Sequence, residues 1–177
     1  MAHADPAGRV PPLVVVDTDI LSMFAKVDAI AILGQLLGPD RVATTPAIRD
    51  EIAVPLQYGY EFPLQALAQT AVAPLTGQAW LEYERLRATG GSLGRGELEA
   101  IALCKTEGAA FATNDLVARR FAFEQGVHVI SLQAILRGLW LSGVCGKPEV
   151  RVLLERIKRA DRLEVPLEVE MEIFGEE

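Results

Sequence analysis

Apolar positions in this chain alternate between a strand rhythm and a helix rhythm. Leu13–Asp17 is a β-branched run bounded by Pro11-Pro12 and a polar turn, and it predicts a buried strand that ends in an acid. Thr18–Leu37 has helical spacing and predicts one helix closed by Gly38-Pro39. Arg41–Ala43 predicts a short strand. Thr45 and Pro46 then mark a helix start, as N-cap and first helical residue, and that helix carries Glu51. Pro55 and Pro63 punctuate the next stretch. Thr70–Ala73 is a brief apolar segment, and Thr76–Ala88 predicts an amphipathic helix.

The second half continues the pattern. After a glycine-rich loop, Glu97–Glu107 predicts a helix with Leu98, Ile101 and Ala102 on its apolar face and Gly108 as its C-cap. Ala109–Thr113 predicts a strand, Asp115–Gln125 a helix closed by Gly126, and Val127–Ile130 a strand followed by a helix capped by Ser131. Strand and helix alternate with short links, which predicts an α/β domain with a mainly parallel sheet. Lys147–Arg162 predicts a helix with six basic and three acidic residues. Residues 163–177 fit either an amphipathic strand or a helical stripe of Leu163, Leu167, Met171 and Phe174. Pro166 favours the helix, because proline inside a strand confines it to an edge.

A chain of 177 residues, half of them hydrophobic, has enough apolar surface for one domain with a sizeable core. Residues 1–12 read as a flexible tail without a secretory pattern, 13–146 as the domain, and 147–177 as a basic helix and acidic tail packed on it or extending it. No apolar run is long enough to span a membrane. The two cysteines, Cys104 and Cys145, lack metal-ligand spacing, so a cytoplasmic protein with reduced thiols is expected.

The net charge of −7 argues against a polyanion ligand until it is mapped. Residues 163–177 hold six glutamates and no Lys or Arg, which leaves 17 basic against 18 acidic residues in 1–162. The acidity lies mostly in the tail, and the body is compatible with nucleic acid.

Four carboxylates stand at segment ends: Asp17, Glu51, Glu97 and Asp115. In parallel sheets, ligands gather at the carboxyl ends of strands. Acids brought together there need a cation, and oxygen-only ligands select Mg²⁺ or Mn²⁺. Taken singly, Asp17 and Asp115 are also good N-caps, and Glu97 a good first-turn residue beside the helix dipole. Arg95, Arg119 and Arg120 stand near the acids in sequence and are candidates for gripping phosphates; an ordinary solvated helix face is the plainer reading. His3 falls in the tail, and His128 reads as a structural strand residue. Trp80, Tyr83 and Trp140 read as core or interface residues.

The segments VVVDTDILSMF, TPAIRDEI and LGRGELEAIALCKTEGAAFATND together resemble the PIN-domain family of nucleases over roughly residues 13–143. The resemblance implies a three-layer α/β/α sandwich around a twisted, mainly parallel sheet. It implies catalytic acids at Asp17, Glu51, Glu97 and Asp115, with Asp17, Glu97 and Asp115 as metal ligands. Glu99 is the alternative to Glu97. Thr113, Ser22 and Asp19 fall on supporting positions. The implied activity is hydrolysis of single-stranded RNA with one or two Mg²⁺ or Mn²⁺ ions. The compact size resembles toxins of toxin–antitoxin pairs, which implies a small antitoxin-like protein partner and a homodimer. A PIN-like binding module without catalysis is the competing expectation. A phosphatase-like domain using Asp17-Thr18-Asp19 is a third, though the contexts of Glu51 and Glu97 fit it poorly.

Overall fold

In a computed structural model, which describes residues 13–175, five short strands and ten α-helices form a three-layer α/β domain. The strands are β1 (Val14–Val16), β2 (Val42–Thr44), β3 (Ala71–Val72), β4 (Ala110–Ala112) and β5 (His128–Ile130). They lie in the order β3-β2-β1-β4-β5, and every pairing is parallel. All three residues of β1, β2 and β4 are buried, as befits strands covered on both faces. Chain order reverses beside β1. The chain winds outward from β1 to β2 and β3 on one side and to β4 and β5 on the other, so a crevice opens at the carboxyl ends of β1 and β4.

The helices are α1 (Thr18–Lys26), α2 (Ile30–Leu37), α3 (Pro46–Ala53), α4 (Pro63–Gln69), α5 (Gly77–Arg87), α6 (Arg95–Glu107), α7 (Leu116–Glu124), α8 (Leu132–Leu141), α9 (Lys147–Asp161) and α10 (Leu167–Phe174). Several starts follow the expected chemistry. Thr45 Oγ1 accepts from the Ile48 N–H at 3.3 Å with Pro46 next, and Ser131 Oγ accepts from the Ala134 N–H at 3.1 Å. Gly108 closes α6 at φ +67°, where a side chain would be strained. The core includes Phe24, Ile101, Phe111 and Leu136, all fully buried. Burying one such side chain is worth roughly 1.5–3 kcal/mol.

One expectation is corrected. Thr18–Leu37 is not one helix. It breaks at Val27–Ala29, where Asp28 adopts φ +58° and the Ala29 N–H reaches back to Phe24 O at 2.8 Å. The break lets Val27 O accept from Arg156 of α9 at 2.6 Å. The stretch that Pro55 and Pro63 punctuate contains two short helical elements. Val54–Tyr58 forms a 3-10 turn and Pro63 starts α4. A proline at a first helical position opens a helix rather than ending one.

The C-terminal segment is helical, as Pro166 indicated. Trp140 Nε1 of α8 donates to Ile173 O at 2.9 Å, and Lys158 of α9 pairs with Glu170 at 2.7 Å, which fastens α10 to the domain. Val150, Leu153, Leu154 and Ile157 of α9 belong to the main core. The expected tail and His3 lie outside the described residues. Among the described residues, no helix is long and apolar enough to cross a membrane.

Candidate active site

Asp17 follows β1 directly, and its N–H still donates to Ala112 O of β4 at 2.9 Å. The side chain therefore sits in the crevice between β1 and β4, only 5% exposed. Its Oδ1 accepts from the Thr18 N–H at 2.8 Å, and its Oδ2 accepts from Thr113 Oγ1 at 2.7 Å. Thr113 is wholly buried, and its hydroxyl also accepts from the Asp115 N–H at 3.2 Å. One hydroxyl thus links the acids that follow β1 and β4.

The other two acids close the ring. Glu51 on α3 accepts from Thr18 Oγ1 at 2.7 Å and from the Gly96 N–H at 3.2 Å. Glu97 lies beside Gly96 on α6 and accepts from the Gly94 N–H at 2.8 Å. Asp115 accepts from the Ala118 N–H at 2.7 Å at the start of α7. Asp17, Glu97 and Asp115 are therefore helix caps as well as members of the cluster. The capping reading holds for all three, and the same side chains line the crevice where the sequence expectation puts a cation.

The charges act on one another. Burial raises the Asp17 carboxyl to about 7, and Asp19 and Glu97 push it the same way, against the hydrogen bonds from Thr113 and Thr18. Partial burial first, then Asp115, Glu51 and Asp19, raises Glu97. Asp19 is raised first by desolvation, then by Asp161, Asp115 and Glu51, while Lys26 lowers it. The fold thus gathers all four predicted acids and Asp19 into one electrostatic unit.

Asp161, at the end of α9, belongs to the same field and forms an ion pair with Lys26. Sequence reasoning missed it, because it ends a mostly basic helix far along the chain. Thr18 was missed too, although a hydroxyl directly after Asp17 was a visible signal.

The remaining candidates fall in different places. Glu99 is 2% exposed and turned from the cluster. It accepts from the Ala47 N–H at 2.9 Å and from Arg95 Nε at 2.8 Å, joining α6 to the start of α3. Ser22 is half-buried one turn beyond Thr18 and makes no hydrogen bond to the acids among the described residues. Arg120 is exposed and pairs with Glu124 at 3.1 Å. Arg119 is half-buried between two surface hollows. His128 is exposed on the edge strand β5. Tyr83 is buried, Trp140 half-buried and Trp80 largely exposed.

The donors are carboxylates and hydroxyls, with no imidazole or thiolate in the cluster, and that chemistry fits a hard divalent cation. Among the described residues, no three Asp, Glu, His or Cys side chains are drawn together closely enough to hold one ion. Each carboxylate holds a donor of its own, so a cation would compete with the helix caps.

Gly96 bears directly on Glu51. A Cβ at Gly96 would lie 2.7 Å from Glu51 Oε1 and 2.8 Å from Oε2. Gly96→Ala should push the Glu51 carboxylate aside at little cost to the fold, because only a flexible side-chain end must move. Metal-dependent cleavage is expected to fall about 10–100-fold, the usual loss when a partner that orients a site carboxylate is removed. A cleavage assay and a thermal melt on the same variant check both halves. Unchanged cleavage would show that Glu51 needs no support from Gly96.

A protein-family model described as a PIN domain matches residues 13–170, from just before β1 into α10. Comparison with curated proteins finds no match.

Proposed function

The chain belongs to the PIN-domain family, and from that premise we propose that it is a Mg²⁺- or Mn²⁺-dependent endoribonuclease acting on single-stranded RNA. PIN domains are generally nucleases and typically use divalent metals. One observation carries the reading for this chain: a nearly buried Asp17 at the reversal in strand order, raised to about 7 and coupled to Glu97, Asp115, Glu51 and Asp19 through shared field or shared hydrogen bonds. Carboxylates crowded in this way are stabilised by a cation and destabilised without one.

Asp17, Glu97 and Asp115 are the residues that would hold the cation, with Glu51 of α3 held beside them at Thr18 and Gly96. When bound, the metal would supply charge neutralisation at the scissile phosphate and activation of water. The chain supplies the rest. Thr113 keeps Asp17 and Asp115 in fixed relation through its hydroxyl. Thr18 and Gly96, the chain neighbours of Asp17 and Glu97, hold Glu51 in place. With no histidine among the cluster residues, no imidazole is assigned a proton-transfer role.

The test is cleavage of a panel of single-stranded RNAs by purified protein in Mn²⁺, abolished by chelator. Intact RNA across the panel would sink the reading. Mn²⁺ should also raise the melting temperature, since an ion at about 100 times its Kd adds roughly 2.7 kcal/mol. A melting temperature indifferent to Mn²⁺ would count against the metal assignment.

The second reading is a PIN-like module that binds a partner without turnover. It is favoured by the engagement of each acid with its own donor. A protein that binds RNA or a partner in Mn²⁺, yet leaves RNA intact, would establish it. The acidic crevice also supports a small basic protein as regulator, in the manner of an antitoxin, with the chain acting as a cytoplasmic homodimer. A short basic open reading frame beside the gene, whose product co-purifies and blocks cleavage, is the expected finding.

A further inference from the structure

Two of the three arginines that the sequence offers for a phosphate are taken up by other acids: Arg95 pairs with Glu99, and Arg120 with Glu124. Lys26 is placed differently. Asp19, Ser22 and Lys26 are three and four residues apart on α1 and so share one face. Asp19 and Lys26 are exposed there and Ser22 is half-buried, so the face is open from the acids to the end of the helix. Helical side chains tilt toward the N-terminus, which leans Lys26 along this face toward the crevice. Its charge reaches Asp19, about 10 Å away along the axis. Lys26 Nζ pairs with Asp161 and stands 5.4 Å from the centre of the Phe62 ring. Tyr60 meets Phe62 edge to face, with centroids 6.2 Å apart, and is itself 61% exposed. An acid cluster, one cation and one exposed ring thus follow one another along α1.

We propose that this face of α1 is the track by which single-stranded RNA leaves the acids, with Lys26 taking a phosphate adjacent to the scissile one and Tyr60 stacking the base beside it. The inference rests on the nuclease reading and adds to it where the substrate is held. An ammonium on a flexible stem serves a phosphate as a point charge. An exposed ring accepts any base, because every base has a π-face. The track therefore favours unpaired strands, whose bases are free to stack, rather than one base over another. Asp161 keeps Lys26 in place until RNA arrives. Lys26 then exchanges one oxyanion for another, at little cost, because a partly exposed ion pair contributes little.

The probe is a labelled single-stranded RNA hexamer bound to the full chain in Ca²⁺ over a range of salt, with cleavage in Mn²⁺ followed alongside. Lys26→Met should weaken binding and lower the slope of log Kd against log salt by about 0.7, the share of one phosphate contact on a single strand. Lys26→Arg should restore both. Tyr60→Ala should weaken binding about 5-fold or more, the usual loss for one stacked base. Asp161→Asn frees Lys26 and should bind RNA as tightly as the native chain or more tightly. A pair that only docks α9 on α1 would instead make Asp161→Asn lose as much as Lys26→Met, and that result overturns the track. Tyr60→Ala and Asp161→Asn carry the test if Lys26→Met does not fold. Unchanged affinity and salt slope in Lys26→Met and Tyr60→Ala, with native cleavage intact, overturn the track and leave the nuclease reading standing. Losses in both, with Asp161→Asn unharmed but no cleavage by the native chain, support the track and overturn the nuclease reading. Failure of the native chain to bind the hexamer overturns the track.

Discussion

Asp17→Asn is expected to abolish metal-dependent RNA cleavage and, at neutral pH without metal, to stabilise the fold. Both effects come from one carboxyl. Asp17 is a proposed metal ligand, and losing it should cost more than the 10–100-fold typical of residues that only orient a ligand. The stability effect follows from its raised pKa. The ordinary value of 3.8 becomes about 7 in the folded chain, so between those limits the folded state binds more protons than the unfolded state. Stability from this group is therefore complete below about pH 4, falls as pH rises toward 7, and stays low above it. The full shift corresponds to a penalty on the order of 4 kcal/mol. Asparagine has no charge to desolvate, and its amide can still accept from the Thr18 N–H while donating to the Thr113 hydroxyl. Metal-free melts from pH 4 to 8 should show the native chain losing stability relative to the variant. Parallel profiles would mean that Asp17 is not held near neutrality by burial. Metal affinity should fall with pH below about 7, where Asp17 takes up a proton.

The second large effect belongs to Glu99, which lies outside the cluster. Glu99→Ala should lower stability by about 2–4 kcal/mol, because it leaves the buried Ala47 N–H unmet and opens space beside a tightly packed helix pair. Glu99→Gln keeps an acceptor for Ala47 and loses only the charge on the ion pair with Arg95, so it should cost far less. Arg95 is 59% exposed, and an exposed partner contributes little on its own. Thermal or denaturant unfolding separates the two variants. The alanine variant should also lose cleavage while folded, because Glu99 ties α6, which bears Glu97, to α3, which bears Glu51. A folded Glu99→Ala protein with native cleavage would show that this tie does not set the spacing of the acids.

How far each feature could be read from the sequence follows the range of the interaction behind it. Asp17, Thr45, Glu97, Asp115 and Ser131 were legible because capping is local: the side chain and the N–H it meets lie within three residues. The strand and helix alternation was legible for the same reason, and it placed Asp17 and Asp115 at the carboxyl ends of parallel strands. The break at Asp28 was not, because the Val27 carbonyl is met by Arg156, 129 residues away. The role of Pro63 was left open, because proline can end a helix or start one, and only the packed position of α4 decides. The separation of Glu97 from Glu99 depended on which face of α6 meets α3, and it needed the fold. Asp161 enters through the docking of α9 on α1, which no motif announces.

The order of the strands also governs when this chain can become active. Of the five strands β1 comes first in the chain, and one of its neighbours, β2, follows about thirty residues later. Its other neighbour, β4, lies at residues 110–112, and Glu97 and Asp115 arrive with it. A chain paired only as far as β3 would hold Asp17 and Glu51 but lack Glu97 and Asp115, so the proposed cation site would be incomplete. On the proposed function, cleavage would therefore wait on the insertion of β4 beside β1.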